Sequence, residues 1–236
     1  VADETIVLFG THAWDDLARH HWALLTRHNP GLRCVPVAWA GRNLPAEVRT
    51  VRHPPFRTRE PDWEWASPDK LLVGAVRQLD LRADRYLWLE YDTEVTGDLS
   101  VALAAAWHAE LGCSRFFTRK DVPVWNHWHR CPSFHRGWTD PASYAVCHPF
   151  NGLLFDRRTM ERFCHHGDEL DYCEARVGTF ALRHGIVPVQ YDPQMRFNHW
   201  MESRLDPKVS CGMRHPTKTI RGETPRAHVH LRLPGC

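Results

Sequence analysis

Tyr86-Leu-Trp-Leu-Glu-Tyr-Asp-Thr-Glu-Val-Thr-Gly-Asp-Leu99 decides the reading of this chain. Leu87, Trp88 and Leu89 form an apolar run of strand type, and the acids Glu90, Asp92, Glu94 and Asp98 follow it directly. In an extended chain, residues two apart point to one side, so Glu90 and Asp92 aim their carboxylates at a common point. Hard oxygen ligands at a strand's end suit Mg²⁺ or Mn²⁺, which leave positions open for phosphate oxygens. The same pattern also describes a strand ending in a solvated acidic turn, and spacing alone leaves both readings open.

Strands and helices alternate around this segment. Thr5 to Phe9 is a near-continuous apolar run closed by Gly10-Thr11, as in a buried parallel strand. A helical period runs from about Ala13 to His28, and Asn29-Pro30-Gly31 stops it. Leu32 to Trp39 reads as a second strand, with Pro36 pointing to an edge or bulge. A short strand at 49–52 and a Pro- and Trp-bearing loop at 54–66 come next. Ser67-Pro68-Asp69 then predicts an N-cap with proline in the first turn, opening a helix to about Leu81. A helix over 99–111 and a strand over 114–118 follow the acidic segment. The pattern predicts a single α/β domain with a mostly parallel central sheet flanked by helices. A length of 236 residues suits one such domain, with no linker or repeat to divide it.

Composition narrows the partners. The formal net charge is only +2, and no run of basic residues exists, so nucleic acid is not an expected partner. No apolar stretch approaches the length of a membrane span. The opening Val-Ala-Asp-Glu-Thr lacks the features of a signal peptide. The 8 cysteines form no C-x-x-C pair, which argues against structural zinc. Reduced thiols and a cytoplasmic location are the expectation. Most of the 17 histidines, His20-His21 and His165-His166 among them, read as surface residues.

The second half carries further chemistry. Residues 119–149 lose periodicity and concentrate aromatic and polar side chains, including Trp125, Trp128 and Trp138. Long loops of this kind are often functional, and aromatic faces suit sugar rings, although packing accounts for them equally well. Asn151-Gly152 leads an apolar strand to Asp156, and a helix spans about 158–165. The segment from Asp168 to Gly185 reads as a helix closed by glycine, with Asp171 and Glu174 at i and i+3 near its start. Those two acids also complement a helix dipole. The tail from Gln194 offers Met213-Arg-His215-Pro-Thr-Lys218, with His199, His228 and His230 as competing histidines.

The order strand, acid-x-acid, Gly-Asp-Leu and helix resembles the metal site of GT-A fold glycosyltransferases, with Glu90 where the family has Asp. The resemblance covers roughly Thr5 to His215 by element order rather than by identity. It implies a Rossmann-like GT-A domain, with a nucleotide-sugar half at 1–112 and an acceptor half and tail at 113–236. It implies Mn²⁺ or Mg²⁺ on Glu90, Asp92 and His215, and donor contacts from Gly10, Thr11, Tyr91 and Lys218. Asn151 and Gly152, with the aromatic anchors Trp125, Trp128 and Trp138, would line the acceptor side. Glu174, with Asp171 second, would take the proton from the acceptor hydroxyl, which implies inversion. The implied partners are a nucleotide sugar and a carbohydrate or other hydroxyl acceptor. Two other readings use the same residues: a metal-dependent hydrolase or nucleotidyltransferase acting on phosphate, and a non-catalytic carbohydrate-binding domain.

Overall fold

The computed structural model describes residues 4–53, 67–125, 127–128, 141–166, 172–192 and 212–215. The expected loop at 54–66, Trp138, Asp171 and Lys218 lie outside these residues.

Strands β1 (Thr5–Gly10), β2 (Arg33–Trp39), β3 (Arg49–Val51), β4 (Arg85–Glu90), β6 (Leu111–Cys113), β9 (Leu154–Asp156) and β10 (Val189–Gln190) form one sheet. Its seven strands lie in the order β10-β6-β9-β4-β1-β2-β3. All run parallel except β9, which is antiparallel to both β4 and β6. The expected α/β class and mostly parallel sheet are therefore observed. The helices are α1 (Asp16–His28), α2 (Pro68–Gln78), α3 (Leu99–Ala102), α4 (Arg157–Cys164) and α5 (Cys173–Arg183). Small ladders join β5 (Glu94–Val95) to β11 (Met213–Arg214), and β7 (Arg115–Thr118) to β8 (Ala145–His148).

The alternation of side chains along the central strands divides the core into two. Ile6 and Leu8 of β1, with Tyr86 and Trp88 of β4, pack into one cluster. Val7 and Phe9, with Leu87 and Leu89, pack into the other. Every one of these side chains is buried, which is why both strands read as unbroken apolar runs. Gly10 stands in register with Glu90, at the ends of β1 and β4.

Local signals explain the helix ends. The Asp15 carboxylate accepts from Ala18 N–H at 2.9 Å and starts α1. At its far end Asn29 ties α1 to α3: its Nδ2 donates to Leu25 O at 3.1 Å, and its Oδ1 accepts from Leu99 N–H at 2.9 Å. Pro36 of β2 falls just before the part of β2 that the edge strand β3 covers, so one flank is unpaired there.

Several expectations are corrected. The helix expected over 99–111 ends at Ala102; turns and bends follow over 103–110, and β6 begins at Leu111. The strand expected over 114–118 is observed as β7, and β6, which no expectation covered, precedes it across Ser114 and pairs with other strands. Strand β8 lies inside the segment read as a loop. His21 is fully buried in α1, not a surface residue.

Candidate functional site

Parallel strands deliver their C-terminal ends to one edge of the sheet, where open α/β sheets place ligand sites. Glu90 is the last residue of β4. The chain then turns, with Thr93 N–H donating to Glu90 O at 2.9 Å. Tyr91 and Asp92 thus lie in a tight turn rather than in the extended chain assumed from sequence.

The turn is braced from three directions. Asn151 Oδ1 accepts from Glu90 N–H and from the Thr93 hydroxyl, both at 2.8 Å. His21 Nδ1 meets Tyr91 O at 2.9 Å. Tyr91 N–H donates to Gly10 O at 2.9 Å. Burial lowers the His21 imidazole below its usual value. A neutral ring with hydrogen on Nδ1 therefore donates to that carbonyl.

The third component arrives from far along the chain. Met213 and Arg214 pair antiparallel with Val95 and Glu94, and Thr96 N–H donates to Gly212 O at 2.9 Å. Arg214 Nε also lies 3.4 Å from Glu94 Oε2 in a mostly buried pair. This clip sets His215 beside the acid turn. Its Nε2 lies 2.8 Å from Glu90 Oε2 and 3.1 Å from Asp92 Oδ1. One ligand atom from each of Glu90, Asp92 and His215 falls within 4.8 Å of the others.

That geometry fits a divalent ion. Ligands at about 2.1 Å in an octahedron stand about 3 Å apart along its edges, close to the two separations found here. Two carboxylates and one imidazole form an oxygen-rich, mixed donor set that a borderline cation such as Mn²⁺ accepts. Asp92 is buried and Glu90 half-buried, so the cluster has a sheltered side and an open side.

In the metal-free protein a proton does the work of the cation. Burial alone would lower His215, but the Asp92 charge, hydrogen bonds to Asp92 and Glu90, and the Glu90 charge outweigh it and push the imidazole up to about 10. A folded value above the unfolded one stabilises the fold at low pH. This contribution is full below about pH 6.5 and is lost as pH rises toward 10. Thermal melts of the metal-free protein should therefore lose stability between those limits, and His215→Gln should flatten that slope. An ion must displace the same proton, so apparent Mn²⁺ affinity should rise with pH over the same window.

The other expected site residues are placed as follows. Gly10, Thr11 and Tyr91 come together at the ends of β1 and β4, with the His12 ring edge-on to Tyr91 at 4.3 Å. The bare face of Gly10 is filled, because a Cβ there would stand 2.2 Å from the Trp88 indole. Gly10 thus makes room for a core ring. Asn151 is fully buried and serves as the brace already described. Gly152 has φ +83°, and a Cβ on it would stand 2.1 Å from the Tyr191 hydroxyl. Only glycine suits that position. Asn151 thus braces the acid turn, while Gly152 gives Tyr191 close passage and accepts from its hydroxyl at 2.9 Å.

Trp128 is 2% exposed, and its indole N–H donates to Val122 O at 2.9 Å. Trp125 is half-buried and meets Trp128 edge-on at 4.8 Å. Trp128 is thus placed as packing, and its satisfied N–H leaves no polar handle for a sugar. Trp128→Ala should cost roughly 3 kcal/mol of stability, read from a urea midpoint. Donor affinity should be unchanged in whatever fraction remains folded.

Glu174 opens α5 and is buried. Its Oε2 meets His148 Nδ1 at 2.9 Å, and its Oε1 accepts from Phe150 N–H at 3.0 Å. Two residues on, Arg176 points into a buried ion pair. Its Nε donates to Asp69 Oδ2 at 2.6 Å, its Nη2 donates to Asp69 Oδ1, and Nη2 also donates to the Ser67 hydroxyl at 3.1 Å. Ser67, expected to cap α2, makes no capping bond with its side chain and accepts from Arg176 instead. His148, His21 and the Asp69–Arg176 pair were not singled out from sequence. The unbroken apolar run before His148, Ala145-Val-Cys147, is the one available signal.

No family model matches the chain, and no curated protein matches it. Among solved structures it is similar to the galactosyltransferase LgtC in complex with donor and acceptor sugar analogues: 14% identity, TM-score 0.42, covering 82% of this chain and 74% of that one. An active-site mutant of LgtC gives 14% identity and TM-score 0.46, covering 89% and 86%. The apo-form glycosyltransferase GlyE of Streptococcus pneumoniae TIGR4 gives 13% identity and TM-score 0.36, covering 84% and 46%. Identities this low and TM-scores below 0.5 leave the functional case to the site's own geometry. Among the described residues, no helix is long and apolar enough to cross a membrane.

Proposed function

We propose that this protein is a metal-dependent glycosyltransferase of GT-A type that moves a sugar from a nucleotide sugar to an acceptor hydroxyl with inversion. The observation that carries the reading is the convergence of Glu90, Asp92 and His215 at the C-terminal edge of a mostly parallel sheet. Mn²⁺ or Mg²⁺ there would neutralise the departing diphosphate. Residues 1–112 would supply the donor side, with Thr11 and Tyr91 near the nucleotide sugar. The remainder would supply the acceptor side and, through Lys218 in the tail, a further positive charge for the phosphates. Glu174, with Asp171 three residues before it, would supply the charge that drives removal of the acceptor proton.

A thermal-shift screen of nucleotides and nucleotide sugars, with and without Mn²⁺, tests the reading. Ligands that bind the native state raise its stability by mass action. A nucleotide sugar that stabilises only with metal, followed by release of nucleoside diphosphate, is the expected result. Release of pyrophosphate or free phosphate would point to nucleotidyl transfer or phosphate hydrolysis instead. Stabilisation by free sugars alone, without metal, would point to a binding domain.

A further inference from the structure

His148 stands at the end of β8, opposite Arg115 of β7. Its ring lies among aromatic edges, with centroids 6.4 Å from both Phe117 and Trp125. Its Nδ1 lies 2.9 Å from Glu174 Oε2. A carboxylate offers only acceptors, so the hydrogen of this contact sits on Nδ1. With hydrogen on Nδ1 alone, the lone pair lies on Nε2, which makes no hydrogen bond among the described residues.

Glu174 itself is less accessible. Its side chain is 6% exposed against 14% for His148, and both of its oxygens are engaged, one by the imidazole and one by Phe150 N–H. A hydroxyl approaching from the open side reaches the imidazole first. The arrangement is also linked to the acid turn: Phe150 is held by Glu174, and the next residue, Asn151, holds Glu90 N–H at 2.8 Å.

We propose that His148 is the general base of the transfer and that Glu174 is the residue that positions it, a refinement that rests on the glycosyltransferase reading above. As the acceptor oxygen forms its bond to the anomeric carbon, its proton passes to His148 Nε2. The bond from that carbon to the diphosphate breaks, and its electron pair leaves with the nucleoside diphosphate. Glu174 fixes the tautomer through Nδ1–H and stabilises the imidazolium that forms. Among the described residues, the charged group in contact with the ring is Glu174 from α5, and Arg115 stands opposite His148 in the β7–β8 register. Cys147 precedes it on β8, with its thiol pushed well up by burial. The rings of Phe117 and Trp125 flank it as well.

The test needs no known acceptor, because water serves as one. Wild type, His148→Gln, His148→Ala and Glu174→Gln are assayed for nucleoside diphosphate release from UDP-glucose, UDP-galactose and GDP-mannose with Mn²⁺. Calorimetry with the nucleoside diphosphate and Mn²⁺ measures binding separately. His148→Gln should lower kcat by at least about 10²-fold with binding unchanged, and added imidazole should restore part of the rate of His148→Ala. Glu174→Gln should lower kcat and move the His148 ¹⁵N signals away from the Nδ1–H tautomer. Near wild-type turnover in His148→Gln, alongside a large loss in Glu174→Gln, would overturn the proposal and make Glu174 the base. An Nε2–H tautomer in the ¹⁵N spectrum of the folded wild type would overturn it without any substrate. If wild type releases nothing from these donors, while the thermal-shift screen finds no metal-dependent ligand, the underlying reading fails and the base falls with it.

Discussion

Asp92→Asn is expected to abolish Mn²⁺-dependent nucleotide-sugar binding while the protein stays folded. Asp92 is 3% exposed and lies 3.1 Å from His215 Nε2, at the sheltered side of the cluster. The amide keeps the shape of the side chain and removes its charge. Positioning groups around a metal already cost 10–100-fold in affinity when changed, so loss of a direct ligand should exceed about 100-fold. In the metal-free state the same change withdraws the leading charge that raises His215. The imidazole should therefore titrate closer to its ordinary range. Calorimetric titration with Mn²⁺ and nucleotide, checked by circular dichroism, decides the matter. Unchanged metal-dependent binding in a folded Asp92→Asn protein would remove the basis for the proposed function.

The second large effect is on stability. Arg176→Met is expected to destabilise the fold by about 3–5 kcal/mol, because it leaves the Asp69 carboxylate buried without its cation. Asp69 is 1% exposed and Arg176 is 2% exposed. Arg176 sits in the first turn of α5, where a cation opposes the helix dipole. The bidentate contact with Asp69, in the first turn of α2, offsets this and joins the two helix starts. A domain of this kind has about 5–15 kcal/mol in total, so the single variant should be largely unfolded in mild urea. Asp69→Leu combined with Arg176→Met should recover much of the loss, since an apolar pair removes the buried charge altogether. A shift below about 1 kcal/mol in the single variant would show that solvent reaches the pair.

The two central strands were legible in the sequence because both their faces are buried. Thr5 to Phe9 and Tyr86 to Leu89 therefore have no polar alternation to confuse them. Glu90 and Asp92 were legible as a pair, though a turn closed by Thr93 N–H, not strand alternation, sets their directions. The direction of β9 was not legible. Pairing direction depends on how the chain returns to the sheet, and an apolar strand reads the same both ways. Strands β5 and β11 have two residues each, too few for any period to show. The bracing role of Asn151 was not legible, because a buried amide holding a turn and an exposed one touching a ligand share one letter code. The Asp69–Arg176 pair spans 107 residues, a separation at which one chain alone gives no pairing signal.

The β5–β11 clip means that the cluster is assembled from residues made at well-separated stages of synthesis. A ribosome that has made the chain as far as Asp192 has already delivered Glu90, Asp92 and every strand of the seven-stranded sheet. It has not yet delivered His215. A nascent chain at that stage carries two like charges facing each other without the imidazolium that reconciles them. A cation held at the proposed site would gain its third ligand only when residues 212–215 dock, so its capture would report that the clip has closed.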